Sequence, residues 1–431
     1  MTPAARASAA IEVLADIDTR KRPASEALKD WGLGHRFAGS GDRAAIGNLV
    51  FDVLRKRASA AYAMGEDRPR ALVLRTLVTD WGMTPEEVEA LCDGSRFAPE
   101  PLTEAERAGL AREIPADAPA HIRGDYPEWL APQFAQAFGA RAAAEGAALA
   151  MRAPVDLRVN TLKATREKVL KALHRFAAKA TPYSPVGVRI AQGSGPARSP
   201  HVEAEPGHGK GWFEVQDEGS QVASLLSSAA PRQQAIDLCA GAGGKTLALA
   251  ALMENTGQLY AYDTDRFRLR PIFERLKRAG ARNVQVLPAG ESEALRPLAG
   301  KMDLVTIDAP CTGSGVWRRR PDAKWRLSPE MLEARRGEQR TVLDQGAALV
   351  KPGGRLAYIT CSVLPQENRD QVDAFLARHD GFKLIPWPAL WEAAIPAAPP
   401  PSAEGSPETL LMTPLSHGTD GFFVAVLERR G

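Results

Sequence analysis

Two cysteines stand where thiol chemistry could be done. Cys311 follows the turn Asp308-Ala309-Pro310, and Cys361 follows "GRLAYIT"; each comes just after a short apolar run that reads as a β-strand. The other two cysteines, Cys92 and Cys239, lie in a helical stretch and at the end of "QAIDLC". A thiol is nucleophilic only as thiolate, which nearby positive charge or a helix N-terminus favours. Arg318, Arg319, Arg320, Lys324 and Arg326 follow Cys311 closely and could supply that charge or hold phosphates. The same pattern equally suits two small buried hydrophobes beside a solvated face. Cysteine-protease chemistry needs a histidine base, and none of the seven histidines has a motif-like setting. No cysteine pair has metal-knuckle spacing, so no metal is expected.

A second group of residues has the spacing of a nucleotide-type pocket. "AIDLCAGAGGKTLALAALME" puts Gly241, Gly243 and Gly244 between a strand and a helix, where backbone can approach a ligand without a Cβ clash. Asp263 ends the next apolar run, "QLYAYD", where a carboxylate suits a ribose diol, and Arg268 lies just over one helical turn beyond. A phosphate-binding P-loop fails on spacing, because its first glycine would fall on Cys239. A tight structural connection remains the alternative to a cofactor site.

The elements that must position these residues fall into three stretches. Residues 1–145 read as a small helical domain; "AARASAAIEVLADI" and "DRAAIGNLVFDVLRKR" carry apolar residues at helical spacing. Further helical pieces are expected over 69–80, 84–92, 103–113 and 126–150. Residues 146–215 read as a small α/β region whose Gly/Pro-rich stretch 191–211 is a loop. From 216 to 431, "QAIDLC", "QLYAYD", "NVQVLP", "MDLVTIDA" and "GRLAYIT" are strands, with crossover helices after the first, second and fourth. Continuous apolar strands with helical crossovers predict a doubly wound parallel sheet, completed or edged by "GFFVAVLER".

Whole-chain properties are less specific. The 431 residues carry 55 basic and 52 acidic side chains, a formal charge of +3, which fits an ordinary charged surface. No apolar run approaches the roughly 18 residues of a membrane span, and the first stretch has no signal-peptide core. Few, scattered cysteines suggest a reducing compartment, the cytoplasm.

Taken together, "DLCAGAGGKT", "DAPCTGSG" with "RRRPDAKW", and "YITCSVLPQEN" resemble the RNA cytosine-5 methyltransferases. "LRVNTLK" and "FEVQDEGSQ" resemble that family's RNA-side and cofactor-side N-terminal motifs, and "DGFF", Asp420 to Phe423, a feature near its C-terminus. The opening helices are similar to the NusB-like RNA-binding domain of the bacterial 16S ribosomal RNA member. The resemblance implies a Rossmann-like fold using S-adenosylmethionine, with the RNA side taken by the other two domains. Cys361 would attack cytosine C6, Cys311 would assist release of the enzyme, and Asp308 would contact N3. Cys239, Ala240, Gly241, Gly243, Gly244 and Lys245 would wrap the cofactor with Asp308. Asp263 would hold its ribose, with Arg268 beside it. Arg318, Arg319, Arg320, Lys324, Arg158 and Asn160 would bind RNA. One position departs from the pattern: after the third strand the family presents Asp, and here stand Ala289 and Gly290, with Glu291 the nearest acid. The implied substrate is 16S ribosomal RNA and the implied state a monomer; a transfer RNA enzyme and an inactive RNA-binding assembly factor are the rival readings.

Overall fold

The computed structural model describes residues 1–197 and 200–431, and these form two compact units. The first comprises Met1–Ala153, Gln192–Ser199 and Val316–Leu327; the second comprises the rest.

The first unit is helical, and its helices begin and end where local chemistry dictates. In Pro3–Arg20 the Thr2 hydroxyl accepts from the Ala5 amide (3.2 Å), proline occupies the first turn, and Lys21 ends the helix at φ 50°. Its apolar face buries Ala7, Ala10, Val13, Leu14 and Ile17. That face meets Ile46, Leu49, Val50, Val53 and Leu54 of Ser40–Arg55 in one core. Capping boxes at Thr84/Glu87 and Thr103/Glu106 start two shorter helices, Pro85–Leu91 and Glu104–Ala111. The helical run expected over 126–150 is broken instead. It divides into a 3₁₀ turn, Ala131–Phe138, a second 3₁₀ turn and Ala142–Leu149. Gly139, at φ 55°, interrupts it. The distant segment Val316–Leu327 adds one more short helix, Pro321–Arg326, to this unit.

The second unit holds two sheets. The smaller has the order β2-β3-β1-β4, all antiparallel: β1 (Val155–Val159), β2 (Lys179–Ala180), β3 (Gly187–Ile190) and β4 (Phe213–Val215). The loop expected over 191–211 contains two short helical turns, Val202–Ala204 and Pro206–Gly209; its Arg198 and Ser199 lie outside the described residues.

The larger sheet is built from β5 (Gln234–Asp237), β6 (Gln258–Ala261), β7 (Val284–Val286), β8 (Met302–Asp308), β9 (Val350–Thr360), β10 (Phe382–Ile385), β11 (Leu410–Met412) and β12 (Phe422–Arg429). Its order is β10-β12-β9-β8-β5-β6-β7, with β11 on β12. Strands β5 to β9 run parallel, and β10, β11 and β12 pair antiparallel at the other side. This is the expected Rossmann-like, doubly wound sheet, and the chain has the expected helical N-terminal region as well. Short β10 and β11 were not legible in the sequence, having too few residues to show a period. Strand order reverses at β5, which pairs with β6 on one side and β8 on the other. Such a switch point opens a crevice at the carboxyl ends of the strands. The register Asp308↔Ile359 brings the ends of β8 and β9 side by side, so the loops after them must meet.

Candidate active site

Two parts of the site grow from the carboxyl ends of four strands. On the β5–β6 side the chain leaves β5, turns through Leu238–Gly243 and enters the helix Gly244–Leu252. Gly241 and Gly243 have φ of 49° and 86°, and a Cβ on Gly243 would lie 2.6 Å from the Ile272 side chain. Only glycine fits there. The Gly241 amide donates to Asp263 Oδ2 (2.8 Å) and the Asp265 amide to Oδ1 (2.9 Å). The carboxylate is thereby fixed at the mouth of the glycine turn. Ala240 donates to the Tyr262 carbonyl (2.9 Å), tying the turn to the end of β6. Arg268 reaches the same place: its guanidinium would lie 3.6 Å from a Cβ on Gly241. Burial pushes the Cys239 thiol well above its ordinary value, so it is held uncharged.

Lys245 does not face outward from the turn. It is buried, and its Nζ pairs with Asp308 Oδ1 (2.8 Å) and donates to Ser220 Oγ (3.3 Å). The lysine thus links the β5 turn to the end of β8 and orients Asp308, whose side chain is 38% exposed. Beneath it, Asp237 is fully enclosed. Thr246 Oγ1 donates to its Oδ2 (2.7 Å), and its Oδ1 has no partner. Burial first, and then the neighbouring carboxylates of Asp308 and Asp263, raise its pKa to about 7.

These residues fit S-adenosylmethionine. A glycine turn that a Cβ would fill, an oriented carboxylate for the ribose and an unpaired buried carboxyl oxygen converge at one crevice.

On the β8–β9 side, Cys311 Sγ and Cys361 Sγ lie 3.3 Å apart. The contact with Cys361, then burial, raise the Cys311 pKa well above the ordinary thiol value, so Cys311 stays protonated. Glu367 holds both loops. It accepts from the Thr312 amide (2.8 Å), the Thr312 and Ser362 hydroxyls, and Gln339 Nε2 (3.0 Å). Gln339 Nε2 also donates to the Pro310 carbonyl (2.9 Å). One buried carboxyl therefore fastens the residue after each cysteine. Asn368 Nδ2 donates to the Ser362 carbonyl (2.9 Å) and its Oδ1 accepts from Thr360 Oγ1 (2.6 Å), locking the turn around Cys361. Gly315 donates to the Cys361 carbonyl (2.9 Å) and accepts from Gly421 (2.8 Å). A Cβ on Gly315 would sit 2.2 Å from the Gly421 oxygen, so the "DGFF" segment closes against the Cys361 turn backbone to backbone.

The expected RNA-binding residues are placed differently. Arg158 is buried in the second unit, gives its Nε to Gln216 (2.6 Å), and burial lowers its pKa to about 10. Asn160, also buried, donates to the carbonyls of Gly211 (2.9 Å) and Ala279 (2.8 Å). Both side chains join parts of the unit to each other and present nothing to solvent. Arg318, Arg319, Arg320 and Lys324 belong to the helical unit. Arg318 is buried, Arg319 is half-buried and Arg320 is exposed. Lys324 is 1% exposed and donates to the carbonyls of Arg55 (2.8 Å) and Asp125; burial lowers its pKa to about 7. A lysine in that setting lines no binding surface, which corrects the reading taken from its place in the basic run.

Glu367, Asn368 and Ser220 were missed by the sequence reading. The signal for the first two was present: an acid and an amide come directly after "TCSVLPQ". Among the described residues no group of acids, histidines and cysteines could hold a metal, and no helix is long and apolar enough to cross a membrane.

Comparison with known proteins agrees with this geometry. A family model described as 16S rRNA methyltransferase RsmB/F matches residues 224–428, and a second, for the RsmF/B-like ferredoxin-like domain, matches residues 126–195. The chain is 32% identical over 329 residues to ribosomal RNA small subunit methyltransferase B of Pseudomonas syringae pv. tomato, covering 76% of this chain and 70% of that one. It is 31% identical over 308 residues to the probable ribosomal RNA small subunit methyltransferase B of Synechocystis sp., covering 70% and 67%. Among solved structures, a methyltransferase homolog protein from Pyrococcus horikoshii matches with a TM-score of 0.60 and 28% identity, over 74% of this chain and all of that one.

Proposed function

Because the chain belongs to the RsmB/F family of S-adenosylmethionine-dependent RNA cytosine-5 methyltransferases, we propose that it methylates one cytosine of 16S ribosomal RNA through a covalent adduct on Cys361. The observation that carries the mechanism is the pair of thiols 3.3 Å apart beside the exposed Asp308 carboxylate.

Cytosine C5 is a weak nucleophile, and C5 and C6 are inaccessible in a stacked helix, so the target base is taken out of the stack. Cys361 adds through sulfur to C6. The electron pair of the C5–C6 double bond is released toward N3, where Asp308, held by Lys245, supports protonation. C5 is then enamine-like. S-adenosylmethionine, when bound, supplies the methyl group as an electrophile. Solvent water takes the C5 proton, the C5–C6 double bond re-forms, N3 returns its added proton through Asp308, and the Cys361 sulfur leaves C6 as thiolate. Cys311, which stays protonated, stands within hydrogen-bond reach of that sulfur and eases its departure. Ala240, Gly241, Gly243 and Gly244 approach the methionine end, with Cys239 behind them. Asp263 takes the ribose, with Arg268 at the rim.

The ribosomal substrate is supported by the relatives, which are ribosomal RNA small subunit methyltransferases, and by the opening helices, which we read as a NusB-like RNA-binding domain over 1–145. Residues 146–215 form the RNA-side subdomain and 216–431 the catalytic domain. Of the basic run, Arg319 and Arg320 are the ones left to meet RNA. The reading makes the protein a cytoplasmic monomer.

The test supplies radiolabelled S-adenosylmethionine with 16S ribosomal RNA or bulk transfer RNA, each from a strain lacking this gene, and maps the product by bisulfite sequencing. Label at one ribosomal cytosine is expected. Label confined to transfer RNA would keep the chemistry and move the substrate. No label in either, with no trapped adduct on 5-fluorocytosine RNA, would overturn the reading.

A further inference from the structure

The helices that follow β6 leave two aromatic rings in water. Phe267 is 70% exposed and Phe273 is 58% exposed, although Ile272, Leu276 and Ala279 of the same segment are buried. The inward face of Ile272–Ala279 is therefore satisfied, and Phe273 belongs to its outer face. The two rings border an open groove of about 410 Å³, lined by Val286, Pro288 and Ala289 and flanked by Arg266 and Arg270. The Arg266 guanidinium lies over the Phe267 ring, 4.8 Å from its centroid.

Charge names the partner. From Thr264 to Arg282 the chain carries Arg266, Arg268, Arg270, Arg275, Lys277, Arg278 and Arg282 against only Asp265 and Glu274. Arg275 and Arg278 are spent on Glu214. Among the described residues Arg266 and Arg270 form no ion pair, so the charge beside the rings is uncompensated. An apolar peptide needs no such surplus. A polyanion whose bases offer flat π-faces uses both features, stacking on the aromatics and placing phosphates on the arginines.

Position names the role. The groove is formed by the loops after β6 and β7, at the same carboxyl edge that carries Cys311 after β8 and Cys361 after β9. At about 4.8 Å per strand, β7 stands roughly 20 Å from β9. A ligand in the groove would therefore lie well away from a base held at Cys361.

We propose that Phe267 and Phe273, with Arg266 and Arg270, form a stacking platform for unpaired nucleotides of the RNA substrate. The proposal rests on the RNA methyltransferase reading for the identity of its substrate.

The experiment uses the full-length protein and its Phe267→Ala/Phe273→Ala double variant. The readouts are binding of a fluorescent single-stranded oligouridylate, binding of S-adenosylmethionine by calorimetry, the RNA KM and kcat of methyl transfer, melting temperature and oligomeric mass. Oligouridylate binding and RNA KM are expected to weaken by roughly tenfold or more, with kcat, cofactor affinity and melting temperature unchanged. Phe267→Trp/Phe273→Trp is expected to restore binding, and Arg266→Ala/Arg270→Ala to lower the salt slope of RNA binding by about one to two. Unchanged oligouridylate binding and RNA KM in the alanine variant would overturn the platform while leaving the enzyme reading intact. Equal loss of cofactor affinity would assign the groove to the cofactor site, and a change in oligomeric mass would make it an interface between copies; either overturns the proposal. If the wild-type protein transfers no methyl group to RNA, the enzyme reading fails, and the oligouridylate measurement still decides the platform.

Discussion

The segment from Asp308 to Leu327 is one stretch of chain with two fates. Its first part, through Gly315, belongs to the catalytic unit and brings Cys311 to within 3.3 Å of Cys361. Its second part, from Val316, belongs to the helical unit and buries Trp317, Arg318 and Lys324. Two buried lysines show what separates the halves. Lys245 meets the Asp308 carboxylate at 2.8 Å. Lys324 meets only carbonyl oxygens at hydrogen-bond distance, and burial lowers its pKa to about 7. In the first half an ion pair with Lys245 orients the Asp308 carboxylate. In the second, a lysine fastens helices together.

The sharpest way to break this comparison is to remove each of the paired thiols and, from the second half, the buried lysine. Cys361→Ala is expected to lower turnover by about 10⁴-fold or more, the scale of losing a covalent nucleophile. It should form no adduct with 5-fluorocytosine RNA. Cys311→Ala should lose turnover yet leave a trapped RNA adduct that survives denaturing gels. Equal loss of turnover and adduct in the two variants would contradict their division of labour. A comparable loss of turnover in folded Lys324→Met would contradict the division between the halves.

Glu367→Ala comes next. It removes the acceptor shared by Thr312, Ser362 and Gln339, so both thiol loops are free to shift. A displacement near 1 Å costs on the order of 10²-fold. The fall is expected in kcat, with RNA and cofactor affinities nearly constant, and steady-state kinetics would show it. A loss of affinity alone would mean that Glu367 shapes the binding surface and not the thiol pair.

Lys324→Met should have the smallest effect on chemistry and a distinct effect on stability. In the folded protein Lys324 binds its proton with a pKa near 7, against 10.5 for the ordinary lysine. Between those values the unfolded chain holds more protons, so this residue's contribution to stability rises with pH and is lost as pH falls toward 7. The methionine variant leaves two carbonyls without a donor, a cost of about 1–3 kcal/mol, but also removes the buried charge. Denaturation at pH 7.5 and pH 10 is expected to show a larger deficit for the variant at pH 10. A deficit equal at both values would mean that Lys324 keeps its charge when folded.

The parallel strands, the glycine turn and the positions of the two cysteines were readable in the sequence, because each is written in a short local pattern. β5, β6, β8 and the second half of β9 are short, mainly apolar runs, with Cys239, Asp263 and Cys361 within two residues after β5, β6 and β9, and such runs need no distant partner to be seen. The sheet register, by contrast, pairs residues dozens of positions apart, and it alone decides that the loops after β8 and β9 share one clamp on Glu367. The basic run misled for the same reason. Arginine and lysine read as surface residues until the fold supplies carbonyls to receive them, as Arg55 and Asp125 do for Lys324. The sequence by itself determined which side chains could react and which strands would carry them. Only the tertiary structure decided which charges meet solvent and how close the thiols come, because burial and distance are set by segments far away along the chain.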